Sequence, residues 1–211
     1  MASLPKDLTP EALKIYDRQR FIGLDVQRRL LNSRILLHPL NGIITELAKN
    51  LVLCGCNLVL YDNSLVSQED IETNFLLSPI NLGQPKSMIL KEKLYQMNPM
   101  VNIEIIEEIG DLKSFDILAI STGEFKEMQK WEKISRDIKK PVYFLWNCGF
   151  YGFFYASLGG DYSFQKITEK DKEGDICLVK AIDFEKSLKA PLTKRNKDVF
   201  LGIRSNLSFF S

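Results

Sequence analysis

The sequence predicts an α/β fold with a doubly wound, mostly parallel sheet, an N-terminal helical segment and a short C-terminal appendage. Short apolar runs typical of buried strands alternate along the chain with amphipathic segments of helical length. The 211 residues suffice for one sizeable domain with a small addition. We divide the chain into a helical segment at 1–32, a Rossmann-like domain at 33–148, and a β-pair, loop and terminal helix at 149–211.

The N-terminal segment is predicted to be helical in two pieces. Thr9 is a suitable N-cap, Pro10 suits the first helical position, and Glu11 places a carboxylate at the positive end of the helix dipole. The apolar residues that follow recur at helical spacing but are interrupted near Gly23. We therefore expect two helices or one kinked helix.

The central domain is predicted from five apolar runs and the helices between them. The run SRILLHP leads into a helix that Gly55 ends, and NLVLYD is a second buried strand ending at Asp62. A helix is expected from about Lys86 to Met97, followed by strands VNIEII and FDILAIS, the charged helix GEFKEMQKWEKISRDIKK and the strand PVYFLWN. Strands alternating with helices in this way form parallel β-α-β units.

The C-terminal appendage differs in composition from the domain before it. FYGFFYASLG is typical of β structure, and ITEKDKEGD is a charged loop. The segments DICLVKAIDFEKSL and KRNKDVFLGIRSNL suggest a strand and a terminal helix. Its aromatic side chains are expected in the core and at a protein surface contact, because no basic residues interleave with them as a nucleic-acid platform requires.

Composition excludes several classes of function. The 28 basic and 27 acidic residues leave a formal net charge of +1, which gives no attraction to nucleic acid or an anionic membrane. No apolar run approaches the roughly 20 residues that span a bilayer. The N-terminus lacks the features of a signal peptide, so we expect a protein that is not secreted. Four cysteines without metal-site spacing predict no metal site, and Cys148 is expected to be buried.

The strand–helix junction at residues 38–44 has the position of a phosphate-binding loop. Such a loop needs glycines for a tight turn, close approach to phosphate and close helix packing, here at positions 39, 42 and 44. The sequence has Pro39, Gly42 and Ile44, so one amide donor is lost and a branched side chain crowds the helix N-terminus. Asp62 is placed like the acid that binds an adenosine ribose. We interpret the junction as the remains of a nucleotide site.

Several blocks of sequence, in order, resemble the adenylating half-domains of ubiquitin-like protein activating enzymes of the ThiF-type superfamily. They are YDRQRFIGLDVQRRLLNSRILL, TELAKNLVLCG, LYDNSLVSQEDIETNFLL, LGQPKS and MNPMVNIEI. Within that superfamily, NCGFYGFFYASLGGDYSF, DICLVKAIDFEKSL and KRNKDVF resemble the smaller subunits of SUMO-activating heterodimers. The resemblance runs from Tyr16 to about Phe200, and the family continues beyond the point where this sequence stops.

The resemblance implies a division of labour between two subunits. In that family the larger subunit binds ATP and magnesium, adenylates the C-terminal glycine of the modifier and carries the thioester cysteine. The smaller subunit is a duplicated adenylation domain that has lost its own site. The resemblance thus implies that this chain binds no cofactor, and that its partners are the larger catalytic subunit and, through the complex, a SUMO-like modifier. It also implies placement in the nucleus and cytoplasm.

Individual positions follow this pattern of loss. The catalytic Asn-Arg-Gln-Phe stretch of the family is replaced here by Glu72-Thr73-Asn74-Phe75, and a carboxylate in place of an arginine disfavours a triphosphate. The magnesium-binding aspartate is replaced by Thr122-Gly123-Glu124. Gly42, Asp62 and Lys86 remain as vestigial cofactor-binding positions.

Arg18 is the one residue for which the resemblance implies a catalytic role. In the family this arginine reaches across the dimer to the ATP phosphates of the catalytic half. The motif here is one residue shorter before Arg20, and a solvent-exposed helix arginine is the alternative. Two other functions stay open, namely an interaction module or scaffold without a catalytic role, and an independent sulfur-carrier adenylyltransferase. The first is distinguished by the effect of Arg18 on a partner's activity, the second by nucleotide binding to this chain alone.

Overall fold

A computed structural model describes residues 8–167 and 173–180. The chain divides into two compact units between Ser121 and Thr122. The first unit holds the parallel sheet with its helices, and the second holds one helix and two antiparallel strand pairs. The predicted three-part division of the chain stays a prediction.

The N-terminal segment consists of α1 (Pro10–Ile15), a 3-10 helix (Asp17–Ile22) and α2 (Leu24–Asn32). The Thr9 hydroxyl accepts a hydrogen bond from the Ala12 amide at 3.1 Å, which confirms the predicted cap. Gly23 precedes α2 with φ 89°, a conformation that glycine adopts without steric cost. The predicted interruption near Gly23 is therefore confirmed. The spacing of apolar residues did not predict the 3-10 helix between α1 and α2.

Four parallel strands form the sheet of the first unit. They are β1 (Arg34–His38), β2 (Asn57–Leu60), β3 (Ile103–Ile105) and β4 (Ile117–Ser121), in the order β3-β2-β1-β4. Leu36, in the middle of β1, pairs with Val59 on one side and Leu118 on the other. All three are buried, as expected of strands covered on both faces. The predicted α/β class is confirmed.

Three helices connect these strands, namely α3 (Gly42–Cys54), α4 (Gln68–Thr73) and α5 (Lys86–Met97). The bounds of α5 agree with those predicted from sequence. α3 ends at Gly55 with φ 93°, where an added Cβ would lie 2.9 Å from the Tyr16 ring. Gly55 thus serves both the left-handed cap and the close packing of the N-terminal segment against the end of α3.

The second unit contains α6 (Phe125–Ile138), β5 (Val142–Cys148) and β6 (Tyr151–Ser157), and β5 and β6 form an antiparallel hairpin. A further antiparallel pair joins β7 (Tyr162–Ile167) and β8 (Glu173–Val179). The expectation of a buried Cys148 is wrong, because this residue ends β5 beside the hairpin turn and is exposed. The predicted terminal helix lies outside the described residues.

No helix in residues 8–167 and 173–180 is long and apolar enough to cross a membrane.

Candidate functional site

The junction between β1 and α3 is organised by Asn41, the N-cap of α3. Its side-chain oxygen accepts a hydrogen bond from the Ile44 amide at 3.2 Å, and its amide group donates to the Ser121 hydroxyl at 2.7 Å. An amide donor of the first turn, which a phosphate would otherwise contact, is thus satisfied by the chain itself.

Gly42 makes room for another part of the same chain. A Cβ atom added at this position would lie only 2.4 Å from the backbone carbonyl oxygen of Thr73, at the end of α4. The next residue, Asn74, is buried and donates its side-chain amide to the Thr45 hydroxyl in the first turn of α3 at 2.8 Å. A carbonyl oxygen is the negative end of a peptide dipole and suits a helix N-terminus. The glycine therefore serves close packing of protein against protein.

Asp62 has both carboxylate oxygens engaged within the first unit. Oδ2 accepts a hydrogen bond from the Leu40 amide at 2.8 Å. Oδ1 accepts from the Ser64 amide at 2.9 Å and from the Ser64 hydroxyl at 2.6 Å. The side chain is buried, and these contacts satisfy its carboxylate within the protein.

Lys86 is buried between two carboxylates. Its Nζ lies 2.7 Å from Asp70 Oδ1 and 3.9 Å from Asp62 Oδ2. Asp70 also accepts hydrogen bonds from the amide and the hydroxyl of Ser67, the N-cap of α4, at 2.9 and 2.7 Å. The structure therefore brings the predicted residues Asp62 and Lys86 close together, and Asp70 is the carboxylate that pairs with the lysine.

The pKa of Asp70 reflects two opposed effects. Burial raises the pKa of this carboxyl, but hydrogen bonds from Lys86 and Ser67 and the charge of Lys86 outweigh burial and hold the pKa below its ordinary value. Asp70 is consequently a carboxylate at neutral pH and can neutralise Lys86.

A second lysine of α5 attaches to the segment between β2 and α5, residues 61–85, which we call the crossover. Lys93 Nζ donates a hydrogen bond to the Leu76 carbonyl and lies 3.4 Å from Asn81 Oδ1. Lys86 and Lys93 thus hold the crossover at two places.

Arg18 lies at the opposite end of α3 from this junction. It belongs to the 3-10 helix, is exposed, and makes no hydrogen bond or ion pair with the part of the chain that the structure describes. The same 3-10 helix contacts the last turn of α3 through the hydrogen bond from Gln19 to the Leu53 carbonyl. Since α3 runs from Gly42 to Cys54, a rise of about 1.5 Å per residue places its ends about 18 Å apart. The structure does not bring Arg18 to Gly42, Asp62 and Lys86.

Other residues considered from sequence have ordinary structural roles. The half-buried His38 ring donates a hydrogen bond from Nδ1 to the Tyr61 carbonyl at 2.8 Å. Glu124 lies exposed in the second unit, where its amide donates to the Thr122 hydroxyl at 3.1 Å. Within residues 8–167 and 173–180, no group of three His, Cys, Asp or Glu side chains is placed to hold a metal ion.

Comparison with protein families matches residues 16–129 of this chain to the ThiF family. The chain belongs to the ThiF family. It is 29% identical over 183 residues to the DNA damage tolerance protein rad31 of Schizosaccharomyces pombe, covering 82% of this chain and 60% of that protein. It is 26% identical over 214 residues to SUMO-activating enzyme subunit 1 of Dictyostelium discoideum, covering 98% of this chain and 63% of that protein. The resemblance inferred from sequence is confirmed.

The same fold occurs in a solved structure. MccB of E. coli superposes with a TM-score of 0.58 at 20% sequence identity, covering 67% of this chain and 44% of that protein. This ThiF-family chain therefore spans less than two thirds of the length of the proteins compared with it, at 60% and 63% for the two sequence relatives.

Two contributors to the site were not identified from sequence, namely Asp70 and the Thr73 carbonyl, and the hydrogen bond from Gln19 to the far end of α3 was also missed. The SQED stretch does have the form of a capping box, which would have placed Asp70 at the start of a helix. No local pattern indicated that Asp70 also pairs with Lys86, sixteen residues later.

Replacing Gly42 with alanine is expected to destabilise this ThiF-family chain by about 1–3 kcal/mol, because the added methyl group forces the Thr73 carbonyl away from α3. Urea unfolding of the wild-type and Gly42→Ala chains measures the change in the free energy of unfolding. Gly110→Ala is the matched control, since nothing lies within 4 Å of a Cβ at that position. Equal stability of the Gly42 and Gly110 variants would show that the crossover does not pack closely on α3.

Proposed function

We propose that this chain is the smaller, non-catalytic subunit of a SUMO-type activating enzyme. In this role it supports ATP-dependent adenylation of the modifier C-terminus by a larger partner subunit and acts where that complex acts, in the nucleus and cytoplasm. The observation that carries the proposal is the similarity to SUMO-activating enzyme subunit 1 over 98% of the chain. The two subunits of such a complex would meet through related surfaces of duplicated domains.

The contacts that the chain makes within its own β1–α3 junction support a non-catalytic role. A nucleotide bound at this junction would have to displace the Thr73 carbonyl from Gly42, the Asp70 carboxylate from Lys86, and the Leu40 and Ser64 donors from Asp62. Displacing the partners of Asp62 or Lys86 leaves a buried polar or charged group unpaired, which costs about 1–3 kcal/mol for a polar group and more for a charge. ATP and magnesium therefore belong to the partner subunit in this proposal.

Arg18 is the residue that this chain would contribute to catalysis. When the modifier carboxylate attacks the α-phosphorus of ATP, a carboxyl–phosphate bond forms and the bond to the β-phosphate breaks, so negative charge develops on the departing pyrophosphate. A guanidinium supplied in trans by this chain would neutralise that charge without being consumed. The exposed position of Arg18 and its lack of a hydrogen-bonding or ionic partner among the described residues leave its side chain available for such a contact.

Equilibrium dialysis with labelled ATP and magnesium tests the proposal. We expect no saturable binding to this chain alone and one nucleotide per complex with the larger subunit. Gly42→Ala and Lys86→Met chains in the complex should leave this count unchanged, because their site holds no nucleotide. Saturable binding to the isolated chain would instead favour an independent adenylyltransferase.

A further inference from the structure

Two glutamines attach the turn that carries Arg18 to the end of α3. Gln19 Nε2 donates a hydrogen bond to the Leu53 carbonyl at 3.1 Å, and Gln27 Nε2 donates to the Cys54 carbonyl at 3.0 Å. The last carbonyl groups of a helix have no partner within it and need donors from elsewhere. The glutamines supply those donors, one from the 3-10 helix and one from α2.

These contacts fix which end of each amide faces the helix. The NH₂ group must face the carbonyl, so the side-chain oxygen of each glutamine points away from α3. Both oxygens, Gln19 Oε1 and Gln27 Oε1, are buried and have no hydrogen-bond partner among the described residues. Gln27 as a whole is only 4% exposed. A buried acceptor left without a donor costs about 1–3 kcal/mol, so a donor is needed here.

The two glutamines line one small cavity. It has room of about 10 Å³ for the centre of a water molecule, which matches the volume that one water requires. Its other lining residues are Leu13, Tyr16, Gly23 and Leu24. Leucine side chains offer no donor, and the Tyr16 hydroxyl, which accepts a hydrogen bond from Asn98 Nδ2 at 2.8 Å, donates to neither glutamine oxygen. One water can donate two hydrogen bonds, one to each orphaned oxygen.

We propose that Gln19 and Gln27, joined by one water bound in this cavity, form an amide clamp that positions Arg18. This inference rests on the proposed role of Arg18 in trans. Gln19 directly follows Arg18, so anchoring its side chain on α3 fixes the backbone from which the arginine side chain extends. Gln19 is a positioning residue: it acts through Arg18 and contacts no reacting atom. Preorganisation matters because a displacement of about 1 Å at a reacting group can cost about a hundredfold in rate.

A double-mutant cycle on the complex with the larger subunit tests the clamp. Gln19→Met keeps the length of the side chain but removes the hydrogen-bonding amide. It should lower kcat for modifier-dependent ATP–pyrophosphate exchange by about ten- to a hundredfold with a small change in KM for ATP. In an Arg18→Ala background the same substitution should lower kcat no further. Gln96→Met, at an exposed position of α5, is the matched control and should leave kcat unchanged in both backgrounds.

The outcomes separate the clamp from the proposed function. A fall in kcat of equal size in both backgrounds would show that Gln19 acts on the fold rather than through Arg18, and no fall in either would also overturn the clamp. If Arg18→Ala itself has no effect, the proposed role of Arg18 fails, and with it the positioning role. A crystal structure of the complex should show one ordered water within hydrogen-bonding distance of both glutamine oxygens. An empty cavity, or a different donor on these oxygens, would overturn the water-bridged clamp.

Discussion

Replacing Arg18 with alanine is expected to lower the rate of modifier-dependent ATP–pyrophosphate exchange by the complex by about a thousandfold or more. The side chain is exposed and makes no hydrogen bond or ion pair within the described residues, so its removal should leave the fold of this chain intact. The loss should therefore arise in the partner's site, where the phosphates lose a neutralising charge. Because that charge is needed most as pyrophosphate departs, kcat should fall more than the affinity for ATP.

Arg29→Ala provides the matched control for Arg18. Arg29 is also exposed and lies in the last turn of α2, in the same N-terminal segment. Its removal changes the net charge of the chain by the same amount and should leave the exchange rate within about twofold, as expected of a screened surface charge. Equal losses in the two variants would attribute the effect to net charge and not to a positioned guanidinium.

Replacing Lys86 with methionine is expected to destabilise the chain by about 3–5 kcal/mol, the usual result of removing one member of a buried ion pair. The side chains of Lys86 and Asp70 are 10% and 13% exposed, so solvent screens their attraction only weakly. The substitution leaves two carboxylates, Asp62 and Asp70, near one another without a cation. Lys91→Met, at an exposed position of the same helix, should cost less than about 0.5 kcal/mol.

The cost of losing Lys86 should depend on pH. Asp70 has a pKa held below its ordinary value in the folded chain, so its pairing stabilises the fold above the unfolded pKa of about 3.9. That stabilisation is lost as pH falls through the lower, folded pKa. In urea unfolding, the difference between the wild-type chain and Lys86→Met should thus shrink below about pH 4. A difference that stays constant at lower pH would show that Asp70 is not the partner that matters.

Much of the fold follows from local sequence. The Thr9 cap, the end of α3 at Gly55 and the bounds of α5 each depend on residues within one or two turns of the feature they specify. Buried strands such as β1 and β4 were predicted from continuous apolar runs because both of their faces are covered. The ThiF-family match over residues 16–129 agrees with this reading of the chain.

The candidate site depended on contacts that local patterns do not specify. The loss of two glycines predicted that the junction is altered, but not that the Thr73 carbonyl packs on Gly42. The pairing of Lys86 with Asp70 links the start of α5 to α4 within the crossover, and only the tertiary structure brings the two residues together. Cys148 was misjudged for a related reason, since an apolar neighbourhood in sequence does not show that a strand has reached its hairpin turn.

In the proposed complex, Arg18 of this chain acts in the site of the larger subunit, and this chain binds no nucleotide itself. Titrating the chain into a fixed amount of the larger subunit, with ATP–pyrophosphate exchange as the readout, tests this claim. We predict an exchange rate that rises with added chain and saturates at one equivalent. An Arg18→Ala chain premixed in equal amount should compete for the partner and roughly halve the rate. Full exchange by the larger subunit alone, or full activation by the Arg18→Ala chain, would contradict the claim.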